Sequence, residues 1–178
     1  MGKLVQMMKL SNRGFTLPEL MLAVSVLLIA ILGLLASYIS CIALGMTAKN
    51  ITIALNGAKA KIEEIRNSSF YTVVGDYSPG GAQGNSFHIN NWPEVAGHCG
   101  AVEIVNPTTG TKLNTDPTAN PDLKLYEVRV TVSWGEKGNR VIGEDKNFDG
   151  DLDAGEDAIN NGQLDSPVKI VTLIAKKP

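Results

Sequence analysis

Between Leu20 and Ala48 the chain carries no charged side chain, and between Pro18 and Pro79 it has no proline. The first absence excludes a water-exposed helix over those 29 residues. As a helix rising ~1.5 Å per residue they would reach roughly 43 Å, more than the ~30 Å of a bilayer's hydrocarbon core. The second absence leaves no strong helix breaker, with Gly33 and Gly45 as the weak points. Cysteine is scarce too. Cys41 falls in the apolar run and Cys99 far beyond it, so a disulfide-built scaffold is excluded and each thiol reads as single. Aromatics make up 6% of the chain and do not interleave with basic residues, which argues against nucleic acid as a partner. The two histidines, His88 and His98, stand with Cys99 at unspecific spacing and without a fourth ligand. No nucleophile motif accompanies them, so neither an enzyme nor a small-molecule substrate is expected.

The 178 residues suit one modest domain plus an appendage. Formal charge is −2, from 16 Lys+Arg against 18 Asp+Glu. Lys3, Lys9 and Arg13 precede the apolar run and would hold its start in the cytoplasm. The run is too long for a secretory signal core, and helical patterning follows it directly. A plain anchor fits the length but leaves Glu19 unexplained. Locally, Thr16-Leu17-Pro18-Glu19 matches a capping box, Thr as N-cap with Glu three residues on, and Pro18 is tolerated in a first turn. Glu19 would also sit at the positive end of the helix dipole. That reading accounts for a helix start, yet not for a Gly directly before an aromatic residue at a membrane edge.

The octapeptide "RGFTLPEL" resembles the class III signal of type IV prepilins and pseudopilins, in which Gly-Phe-Thr-Leu-x-Glu precedes a long apolar helix. The resemblance implies cleavage between Gly14 and Phe15 by prepilin peptidase, removing a leader of residues 1–14, and N-methylation of the new Phe15 amine. It gives Glu19 an assembly role, neutralising the terminal amine of a neighbouring subunit. An ionisable group in a membrane helix is costly, and such a partner supplies the reason for it. The implied partners are other pilin subunits, prepilin peptidase and, before assembly, the inner membrane. The implied location is a bacterial inner-membrane precursor, single-pass with its head outside the cytoplasm, and then a periplasmic or cell-surface filament. Pro18 departs from the Ile or Val common at that position. The lack of a mid-helix proline departs from many major pilins.

Beyond a membrane helix over 15–48, a continuation over 49–70 is expected. Ile51, Leu55, Ala58, Ile62 and Ile65 recur at helical spacing, with Lys59, Lys61, Glu63, Glu64 and Arg66 on the remaining surface, and Asn67-Ser68-Ser69 ends the run. Residues 71–178 read as a small β-rich head. Residues 71–100 form a Gly/Pro/Asn-rich connection, and a first strand is expected over Ala101–Val105. "LYEVRVTVSW" alternates Tyr126, Val128, Val130, Val132 and Trp134 against Glu127, Arg129, Thr131 and Ser133, and a last strand is expected over Val168–Ala175. The fold class is therefore α+β, a long helical spine packed on a small antiparallel sheet. "ALNGAKAKIEEIR", "VTVSW" and the closing "VTLI" look like the PilV/GspI branch of minor pilins and pseudopilins.

Residues 144–165 hold eight of the 18 acids against one Lys. The stretch matches the calcium-loop template D-x-[DN]-x-[DN]-G-x5-E at Asp145, Asn147, Asp149, Gly150 and Glu156. Asp151 would ligate through its carbonyl, Asp153 through water and Glu156 in bidentate fashion. A weaker second half-site comprises Asp157, Asn161, Gly162, Gln163 and Asp165, with Ile159 and Val168 at two ligand positions. The loop is expected on a hairpin between the last two strands, with Ca²⁺ as cofactor at one site or two. A solvated acidic turn without an ion is the alternative. The function expected from all this is that of a minor type IV pilin. A minor pseudopilin of type II secretion shares every motif, and a pilus-associated adhesin module in the head is the third reading.

Overall fold

The computed structural model describes residues 14–92, 95–113, 123–136 and 139–176; the leader positions 1–13 lie outside them. The chain divides into two compact units, Met1–Met46 and Thr47–Pro178.

Helix α1 spans Leu17–Asn67. In the first unit it starts directly after Thr16, where the sequence places the N-cap. The amides of Glu19 and Leu20 both donate to the Thr16 carbonyl. The Thr16 hydroxyl reaches the Glu19 carboxylate at 3.5 Å. From Leu20 to Met46 the side chains of this unit are mostly apolar and open to the surroundings, Leu28, Leu34 and Ile39 among them. Their stretch of helix is long and apolar enough to cross a membrane. Ser25, Ser37 and Ser40 satisfy their hydroxyls on carbonyls four residues back, so their polar atoms stay inside the helix. Gly33 and Gly45 do not interrupt it.

The second unit packs the last turns of α1 on a five-stranded antiparallel sheet. Its other elements are α2 (Val73–Tyr77), β1 (Ser86–Phe87), β2 (His98–Val105), β3 (Leu125–Glu136), β4 (Arg140–Ile142) and β5 (Val168–Ala175). β3 is central: β2 runs along one edge, β4 and β5 along the other. Tyr126, Val128, Val130, Val132 and Trp134 are all buried and face Ala54, Ala58, Ile62 and Ile65 of α1, as the alternation of β3 requires. Phe70 stacks on Tyr126 with ring centroids 4.3 Å apart.

Several expectations need correcting. The expected helix stripe packs on the core, with Ala58, Ile62 and Ile65 buried and Ile51 and Leu55 half-buried, and it gains Ala54, which is fully buried. Gly57 makes room for the loop between β1 and β2: a Cβ there would lie 2.5 Å from Ile89 Cδ1. Lys61 is buried rather than solvated. Its ammonium pairs with Glu64 at 2.9 Å and lies 4.9 Å from the centroid of the Tyr77 ring. The 71–100 connection contains α2, β1 and the start of β2, which begins three residues before the expected Ala101. β4 is an additional strand of three residues. Thr131 and Ser133, on the nominally polar face of β3, are buried.

Candidate functional site

The cover over that second face is the acidic segment. Ile142 of β4 lies opposite Trp134, and Val168 of β5 lies opposite Val132. β4 and β5 are thus one strand interrupted at the position facing Ser133, and the 25 residues 143–167 leave and rejoin the sheet there. The two strands the sequence named on either side of the segment, β3 and β5, do pair antiparallel, and β4 is interposed between β3 and the segment. Its neck is closed by the Glu144 amide donating to the Asp165 carbonyl at 2.9 Å. Gly143, at φ +104, lies against Ser133 so closely that a Cβ would meet the serine hydroxyl. The body folds over the sheet. Thr131 donates to the Leu164 carbonyl and Ser166 to the Val132 carbonyl, while Leu164 is 1% exposed. Phe148 fills the space above Gly97 and Gly135, and Gly150 abuts Ser86 and Cys99.

Within the segment the acids are turned onto backbone N–H groups. Asp145, 1% exposed, accepts from Asp149 at 3.2 Å and from Gly150 at 3.0 Å. Burial raises its carboxyl above the usual range, opposed chiefly by the Gly150 and Phe148 amides, while the Glu156 charge adds to the rise. Glu156, also buried, accepts from Lys146 at 2.7 Å, Asn147 at 3.4 Å and Asp153 at 3.1 Å. Asn147 accepts from Asp149, and its amide group bridges the Asp149 and Asp153 carboxylates at 2.7 and 3.0 Å. The Asp149 carboxylate takes the Asp151 amide at 2.9 Å, and Asp151 in turn holds Asn85. Among the described residues no three or more Asp, Glu, His or Cys side chains converge as they would around an ion.

The second half-site repeats this wiring twelve residues on. Asp157 accepts from Asn161 at 2.9 Å and from Gly162 at 2.7 Å, as Asp145 does from Asp149 and Gly150. Asn161 accepts from Gln163, and its amide donates to Asp165 at 2.6 Å. Left-handed backbone recurs at the same offset: Gly143 and Gly155, Phe148 and Asn160, Gly150 and Gly162. The sequence spells the duplication, "EDKNFDGDLDAG" followed by "EDAINNGQLDSP". Template reading alone missed Glu144. It accepts from Ala158 and Asp165, both at 3.0 Å, and so takes in the second repeat the part Glu156 takes in the first. Lys169 clamps Asp165 at 2.7 Å and holds its carboxyl below the usual range.

The other candidates are structural. His98 in β2 is held by the backbone of Ile89 at 3.0 Å, and His88 bonds the His98 carbonyl. Burial lowers the His98 pKa. Burial, with the charge of Asp145 adding to it, pushes the Cys99 thiol up to about 12, which makes it a poor nucleophile. Cys41 lies exposed on α1. Trp92 donates to Asn50 at 3.2 Å and packs against Trp134.

At the N-terminal end, Gly14 has open space around the position a Cβ would take, and Phe15 is 81% exposed. Glu19 is exposed in the first turn of α1, one turn from Phe15. No curated protein and no solved structure matches the chain. Residues 9–35 match the family model of the prokaryotic N-terminal methylation motif, so the chain carries a type IV pilin-like prepilin signal, which points to a structural subunit rather than an enzyme.

Proposed function

We propose that the protein is a minor type IV pilin, cleaved between Gly14 and Phe15, methylated on Phe15 and built into a filament through α1. The observation that carries this reading is the methylation motif at 9–35 lying over the start of a helix of membrane-spanning length. The apolar side chains of the first unit supply the packing surface, and Glu19 supplies register by pairing with the Phe15 amine of a neighbouring subunit. A charge pair in an apolar bundle is favourable only when both partners are present, so it selects one stagger. Substituting Glu19→Ala tests this role. The variant is expected to insert in the membrane and be cleaved, yet to be missing from sheared filaments; normal incorporation would refute the pairing.

A minor pseudopilin of type II secretion is the second reading, favoured by the same motif. Lost exoprotein secretion with intact pili, on deletion, would select it. An adhesin module in the head is the third, and binding of the protein to cells or surfaces would support it.

The acidic insertion is assigned to calcium. Asp145, Asn147, Asp149, Asp151, Asp153 and Glu156 stand at ligand positions of a complete template, with Gly150 in the left-handed turn it requires. The Asn147 amide donates to both the Asp149 and the Asp153 carboxylates. Asp157, Asn161, Gln163 and Asp165, with Glu144 in place of the missing twelfth ligand, form the weaker second site. The ion's part is structural: it would neutralise the loop and stiffen the exposed head.

A further inference from the structure

We infer that the two twelve-residue repeats are interlocked, each held closed by the glutamate that heads the other, so that residues 144–165 order and open as one cooperative unit. Glu156 heads the second repeat, yet its three amide partners, Lys146, Asn147 and Asp153, all belong to the first. Glu144 heads the first repeat, yet its carboxylate partners, Ala158 and Asp165, belong to the second. The exchange is reinforced at the neck, where the Glu144 amide donates to the Asp165 carbonyl. Within each repeat the leading aspartate bends only its own turn, Asp145 onto 149–150 and Asp157 onto 161–162. Divided between Gly155 and Glu156, neither repeat contains the group that closes it, although Glu156 is also the twelfth position of the loop that starts at Asp145. Glycines, Asn160 and, against its ordinary preference, Phe148 take the left-handed positions that shape each turn, but the crossed glutamates join the turns together.

The test is amide hydrogen exchange, read by mass spectrometry, on the full chain in detergent micelles with EDTA present. Glu144→Ala, Glu156→Ala and the double variant are compared with the parent. A lost hydrogen bond to a charged acceptor should raise exchange about tenfold at the released amides. Glu144→Ala is expected to speed exchange across 157–165, remote in sequence, and across 145–153 as well. Glu156→Ala is expected to do the same from the other side. The double variant should exchange no faster than the worse single one, the non-additive signature of a shared unit. Changes confined to 143–147 in Glu144→Ala, or additive effects in the double variant, would overturn the inference. Protected amides in β2 and β3 report an intact sheet. If Glu144→Ala loses them, Glu144→Gln, which keeps one acceptor oxygen, must give the same crossed pattern at smaller amplitude or the inference fails.

Discussion

Ile142 and Val168 are separated by 25 residues of chain, yet they occupy two of three consecutive places along one edge of β3, facing Trp134 and Val132. A single residue opposite Ser133 would complete the strand. Replacing 143–167 by one residue is therefore expected to preserve the sheet, with amide protection kept along β2, β3 and β5. It should also lower the melting temperature, because Cys99, Thr131 and Ser133 lose their cover. Circular dichroism and exchange on the full chain in detergent read both effects. Loss of β3–β5 protection would show that the insertion organises the sheet instead of resting on it.

Calcium is expected to raise the thermal midpoint of the parent chain and to leave that of Asp149→Ala, which lacks the ligand at the fifth position, almost unchanged. An ion that binds only the folded state stabilises it by about 2.7 kcal/mol at a hundredfold excess over Kd. Melting with millimolar calcium against EDTA is the measurement. Equal midpoints in the parent chain would remove calcium from the description of the head.

Much of the fold is legible in the chain because its signals are local. The alternation from Tyr126 to Trp134 names both the central strand and its buried face, and the apolar run of the spine needs only composition. What the sequence hid depends on contacts between distant segments. β4 has three residues and owes its existence to the hairpin with β3. Lys61 looked like a surface charge until Glu64, Tyr77 and Phe87 were brought around its ammonium. Thr131 and Ser133 read as solvent-facing because nothing local says that a distant segment folds over them. Within the acidic segment, the ligand spacing is visible from Asp145 onward. Glu144 escaped because a template read forward from Asp157 looks for its closing acid at Val168, not thirteen residues upstream. The twelve-residue duplication was the signal that could have found it.

His98 sets a pH dependence with a definite sign. Its pKa is lowered from 6.5, first by burial and then by the neighbouring His88, against the backbone bond to Ile89. A depressed value means the folded state prefers the neutral ring. The stability it contributes is therefore complete above 6.5 and is lost as pH falls through the lowered value. The carboxyl of Asp165 is depressed from 3.8 and acts in a separate, more acidic range. Melting curves between about pH 7.5 and about pH 5 should fall on acidification for the parent chain and flatten for His98→Gln, which keeps an acceptor but cannot titrate there. Parallel curves would assign the slope elsewhere.

The most direct test of the central claim is peptide mass spectrometry on sheared, washed surface filaments, searching for the peptide that begins at Phe15. The account predicts that peptide, N-methylated, in the filament fraction. Methylated Phe15 confined to the inner-membrane fraction would move the function to the secretion pseudopilus. An uncut chain still carrying Met1–Gly14 in cells with active prepilin peptidase would contradict the account.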